Sequence, residues 1–134
     1  MSYSLYLIRF RAGDAAAMDG ALLDGVIASY IVKREPEYGF VRIRTGDGGE
    51  AEVYAAAEDE SELIGVTVTH FDRGLVLDVI ATLADRLGAV VVLQEGVVLL
   101  PESARLDDLP EDLRSGAEFV EFSGAAIQAA IERV

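Results

Sequence analysis

The chain has 134 residues, with 24 acidic side chains against 11 basic ones, one histidine, no cysteine and no tryptophan, for a formal charge of −13. That length suits a single domain, 1–134, able to bury a core without disulfides or metal. The missing cysteine excludes disulfide frameworks, thiolate metal sites and cysteine nucleophiles, and the single histidine excludes every mechanism that needs two.

Residues 3–10 are rich in Tyr, Leu, Ile and Phe and read as a strand inside a sheet. Over 15–33, Met18, Leu22, Val26 and Tyr30, with Leu23, Ile27 and Ile31, fall at helical spacing behind Asp14 as N-cap. Gly20 and Gly25 weaken that segment, which predicts two short pieces or one frayed helix ending at Glu35-Pro36. Residues 38–56 predict a hairpin. Opposed residues of an antiparallel pair share a face, so Val41 and Ile43 must meet Ala51, Val53 or Ala55, and opposed numbers must sum to an even value. A two-residue Asp47-Gly48 turn breaks this parity. A three-residue loop with Gly48 or Gly49 in the left-handed position keeps it, and sets Ile43 against Ala51 or Val53 and Arg44 against Glu50 or Glu52.

Residues 63–71 predict a strand with Ile64, Val66, Val68 and His70 on one face. A helix follows, capped by Asp72, with an apolar stripe of Val76, Ile80, Leu83, Ala84 and Leu87 and a stop at Gly88. Residues 89–93 and 97–100 are buried strands turned by Glu95-Gly96. Residues 102–114 are irregular or short-helical, 117–122 form a short strand, and Ser123 caps a last helix bearing Ile127, Ala130, Ile131 and Val134. The order predicts an α+β fold: one mixed, mainly antiparallel sheet of six or seven strands with two or three helices packed on it. The crossover from 63–71 to 89–93 is expected to be right-handed if those strands are parallel.

Charge is uneven along the chain. Residues 1–45 carry six basic and five acidic side chains, whereas 46–134 carry five basic and nineteen acidic ones. That balance disfavours nucleic acid and anionic membrane and suits a basic protein partner. No stretch approaches the roughly 20 apolar residues of a membrane span, and the first residues lack the pattern of a signal peptide, so a cytoplasmic protein is expected.

Chemistry-bearing motifs are few. Gly46-Asp47-Gly48-Gly49 leads into a strand and carries no Gly-Lys-Ser/Thr, so it reads as a turn and not a phosphate loop. His70, with Asp72 to orient its ring, is the one candidate for catalysis, and no serine sits in a Gly-x-Ser-x-Gly context. The acidic groups Glu58, Asp59, Glu60 and Glu62, and Asp107, Asp108, Glu111 and Asp112, lack the spacing of a calcium loop. They read either as solvated faces or as one carboxylate surface offered to the Arg and Lys of a partner. No metal and no cofactor is expected.

The opening Met1-Ser2-Tyr3-Ser4-Leu5-Tyr6-Leu7 resembles the first strand of small bacterial α+β proteins, some of which are similar to immunity proteins of polymorphic toxin systems. The resemblance covers about ten residues and the loose order of elements. It implies a non-enzymatic protein that masks a toxin through an acidic surface, and it transfers no functional residue. The two other readings are a small enzyme using His70 with Asp72, and a structural protein that forms a homodimer by adding a strand through 89–100.

Overall fold

The computed structural model describes residues 3–57 and 62–134. The strands are β1 Ser4–Arg11, β2 Asp14–Ala16, β3 Met18–Asp19, β4 Ile31–Glu35, β5 Phe40–Arg44, β6 Glu50–Ala57, β7 Glu62–Thr69, β8 Val90–Leu93, β9 Val98–Pro101 and β10 Ala117–Val120. The helices are α1 Gly20–Ile27, α2 Leu75–Leu87 and α3 Gly124–Arg133. The fold is α+β with one mixed, open sheet in the order β10-β9-β8-β1-β7-β6-β5-β4; β2 lies on β1 and β3 on β7. Every pairing is antiparallel except β9 with β10.

Ten strands replace the six or seven expected. The surplus comes from the segment read as a helix over 15–33. Only Gly20–Ile27 is α-helical there, and Asp19, not Asp14, caps it by accepting from the Ala21 N–H at 2.9 Å. A 3₁₀ turn over Ala28–Tyr30 then releases the chain into β4. Helical spacing continues through Ile31, but β-branched Ile31 gains more from pairing with Ile43 of β5, and tertiary pairing overrides a weak helical preference.

The β5–β6 hairpin has the predicted parity. Ile43 faces Ala51 and Arg44 faces Glu50. Thr45 and Gly49 close the loop around 46–48, and Gly48 takes the left-handed conformation at φ 85°. Strands β7 and β8 are both antiparallel to β1, so they run parallel to each other with β1 between them. Strand β8 is flanked by β1 and β9, and β9 by β8 and β10. Segment 89–100 therefore has no free edge, which corrects the expectation that it could add a strand to a second copy.

The helices share one face of the sheet. Alternate residues of the central strands, among them Leu5, Leu7, Ile43, Val53, Val66, Val68, Val91 and Leu93, point into a core completed by Leu23, Val76, Leu77, Ile80, Leu83 and Ile127. Each such side chain stabilises the fold by roughly 1.5–3 kcal/mol through burial. A second cluster, Val90, Val98, Leu100 and Leu109, sits on the opposite face beneath residues 102–116. In β7 the register shifts at Leu63–Gly65, so Leu63 turns inward and Ile64 outward, against the expected alternation. No helix among the described residues is long and apolar enough to cross a membrane.

Candidate functional site

Strand directions decide which loops meet. Strands β1, β9 and β10 and helix α2 all finish at the end of the sheet where β7 and β8 begin. Because β9 and β10 are parallel, with Pro101 opposite Val120, the residues just beyond them emerge side by side, and these are Glu102 and Glu121. Helix α2 brings Asp85 to the same place. The three carboxylates line an open cleft of about 370 Å³ together with Thr82, Ser103 and Phe122. Their side chains make no hydrogen bond or ion pair among the described residues. Some carboxylates elsewhere are spent internally: Asp78 accepts from the Gly124 N–H at 2.8 Å, and Glu118 holds Arg133 at 2.9 Å. Among the described residues no group of three His, Asp or Glu side chains is placed to hold a metal ion.

No family model and no solved structure matches this chain.

The acidic residues singled out in the sequence divide. Glu58, Asp59 and Glu60 lie outside the described residues. Glu62 is exposed at the start of β7, opposite Asp19, at the acid-rich end of the sheet. Asp107, Glu111 and Asp112 are exposed in the 3₁₀ turns between β9 and β10. Asp108 plays a structural part. Its carboxylate accepts from the Ala12 N–H at 3.1 Å and its carbonyl from the Gly13 N–H at 3.0 Å, which ties the turn to β1. Asp85, Glu102 and Glu121 escape a reading of the sequence because each looks alone like an ordinary solvent-facing charge. Their signal in the sequence is position, one on the outward side of a helix and two just past strand ends.

The histidine site differs from its expected form. His70 stands at the opposite end of the sheet in the left-handed region, with φ 47° and an exposed side chain. Its Nδ1 lies 3.1 Å from Oε2 of Glu52, a nearly buried carboxylate that also faces Arg42 at 4.0 Å. Glu52 belongs to β6 and comes alongside through pairing with Thr69. Asp72 does not cap α2; its Oδ2 accepts from the Glu50 N–H at 2.8 Å. Asp47 caps the helix instead. Its Oδ2 accepts from the Leu75 N–H at 3.1 Å, while its Oδ1 accepts from the Thr45 hydroxyl and the Gly49 N–H. The Thr45 hydroxyl foremost, then the Leu75 and Gly49 N–H groups, holds the Asp47 carboxyl below its ordinary value. Through this contact the hairpin loop fixes the start of the helix that carries Asp85.

A further cleft, of about 660 Å³, is an open groove between α1 and α2. Its walls are Leu22, Val26, Leu75 and Val79, with Arg86 and Thr82 at the rim. Asp78 also lines it but is engaged with Gly124. Neither this groove nor the acidic cleft is lined by His70.

Proposed function

We propose that this protein is a non-enzymatic binding module that engages a basic protein partner through the acid-rich end of its sheet, the role implied if the likeness of its opening residues to small bacterial α+β proteins, some of immunity type, extends to function. The observation that carries the reading is the cleft of Asp85, Glu102 and Glu121: three formal negative charges around one concavity, none of them hydrogen-bonded or ion-paired through its side chain among the described residues. Asp107, Glu111 and Asp112 extend the negative surface along the same connection. An Arg or Lys entering the cleft would exchange mutual carboxylate repulsion for charge-assisted hydrogen bonds. Long-range attraction would speed its arrival at low salt. The test is amide chemical-shift mapping with an oligolysine peptide. The reading expects saturable shifts concentrated at 82–86, 101–103 and 120–122, abolished by combining Asp85→Asn, Glu102→Gln and Glu121→Gln. Shifts spread over the surface, or unaffected by the triple variant, would overturn it.

A second reading, a small enzyme working through His70, draws on the left-handed backbone at that residue and its contact with the nearly buried Glu52. Unusual backbone at an exposed histidine is a feature of functional sites as well as of turns. On this reading Glu52, rather than Asp72, orients the ring.

A further inference from the structure

The acidic cleft has a neighbour of opposite character. Arg9, Arg11 and Arg105 line a second open cleft, of about 350 Å³, which shares Asp85, Pro101 and Ser103 with the first. The chain has only 11 basic side chains, so three around one cleft is a concentration that net charge does not predict. The fold assembles it from distant segments. Arg9 and Arg11 are two apart on β1 and so project to the same side of the strand. Arg105 is brought to them by Asp108, whose carboxylate and carbonyl hold the N–H groups of Ala12 and Gly13. Ala12 at that clamp has φ 52°, a costly conformation for a residue with a side chain.

These arginines have donors to spare. Arg42, Arg44, Arg73 and Arg133 each face a carboxylate. Arg9 instead donates to the Ala17 carbonyl at 3.3 Å and lies beside Gly88, where the negative end of the α2 dipole accounts for one cation. Arg11 makes no hydrogen bond or ion pair among the described residues, although Asp14 stands opposite it on β2, and Arg105 reaches Asp107 only at 4.0 Å with both side chains largely exposed. A guanidinium carries five N–H donors in a planar fork that matches oxyanions in pairs. Two carboxylates, Asp85 and Asp108, also line the cleft, so three arginines against two acids leave a formal balance of one positive charge, and the Ala12 N–H engages one Asp108 oxygen.

We propose that the cleft of Arg9, Arg11 and Arg105 is a binding site for a small phosphate-type oxyanion. The overall charge of −13 does not forbid this, because screening confines each charge to about 8–10 Å at physiological salt. It does select against long phosphate polymers and favours a compact ligand. The site adjoins the acidic cleft and shares Asp85, Pro101 and Ser103 with it, but the three arginines that would hold the oxyanion line this cleft alone.

The experiment is a titration of the full chain with inorganic pyrophosphate at constant ionic strength, followed by amide chemical shifts, with sodium chloride and sodium acetate as control arms. Saturable shifts confined to residues 9–17, 88–90 and 103–109 are expected, with weaker or no saturation in the control arms. Replacing all three arginines by glutamine should weaken the binding at least tenfold. Arg34→Gln, an exposed arginine outside the cleft, should leave it unchanged. Circular dichroism confirms that the variants keep their fold. Shifts that never saturate, that fall elsewhere, that acetate reproduces equally, or that survive the triple replacement would overturn the proposal.

Discussion

One chemical change at two positions gives opposite expectations. At Gly124, the first residue of α3, an added Cβ would lie 2.7 Å from the Asp78 backbone nitrogen and 2.6 Å from its Oδ1, where ordinary contact begins at 3.4 Å. Helix α3 must therefore back away from α2 by several tenths of an ångström, and the Gly124 N–H bond to Asp78 stretches with it. Such overpacking costs about 1–3 kcal/mol. Alanine returns roughly 0.5–1 kcal/mol by its better helix propensity and its less free unfolded chain. Gly124→Ala should thus destabilise by about 1 kcal/mol at mid-range and by up to about 2.5 kcal/mol, which lowers Tm by roughly 3–5 °C per kcal/mol for a chain of this size. Gly25 lies in α1 with open space around its missing Cβ and no positive φ. Gly25→Ala should raise stability by about 0.5–1 kcal/mol. Thermal unfolding followed by circular dichroism, with urea unfolding to show an unchanged m value, reads both. If the two variants moved in the same direction, or Gly124→Ala were neutral, the close approach of α2 and α3 would be refuted.

Asp47→Asn should destabilise the protein, and the size of the effect should depend on pH. The folded carboxyl lies below its ordinary 3.8, so its ionised form contributes fully above that value and the contribution fades as pH falls through the folded value. Urea unfolding at a series of pH values should therefore show a constant gap between wild type and variant down to about pH 4, closing below it; a gap unchanged at about pH 2 contradicts the assignment. Ser123 accepts from the Ala126 N–H at 3.0 Å, and Ser123→Ala should cost about 1 kcal/mol in the same assay. Leu7, fully buried, should lose about 2–5 kcal/mol on replacement by alanine; a loss under about 1 kcal/mol would mean it is not in the core described above.

Local chemistry makes much of this fold legible. The parity of apolar residues is enough to place Ile43 on Ala51, because a one-residue slip would set Ile43 opposite Glu50 or Glu52 and turn those carboxylates toward the helix-side apolar core. The stripe of α2, the left-handed Gly88 and the Ser123 cap are signals contained within a few residues. Residues 15–33 mislead because their helical spacing is real but short-lived, and the pairing that converts 31–35 into an edge strand depends on β5, which no local pattern reveals. The bulge that turns Ile64 outward likewise depends on β6. The candidate site is the least legible part. Asp85, Glu102 and Glu121 come together only because β10 returns parallel to β9 and α2 ends beside them. Glu52 replaces Asp72 beside His70 for the same kind of reason, since a neighbouring strand outranks a neighbour in sequence.

The most direct test of the central claim is the salt dependence of a labelled oligolysine peptide binding to wild type and to two triple variants of equal net charge, read by fluorescence anisotropy. One variant combines Asp85→Asn, Glu102→Gln and Glu121→Gln; the other neutralises Asp14, Asp24 and Glu37, exposed carboxylates outside the cleft. The acid-rich cleft predicts that wild type and the second variant bind alike and weaken at least tenfold as salt rises from about 25 to about 250 mM, roughly what a few released counterions produce, while the first variant binds poorly throughout. Equal loss in both variants, or an affinity indifferent to salt, would contradict it.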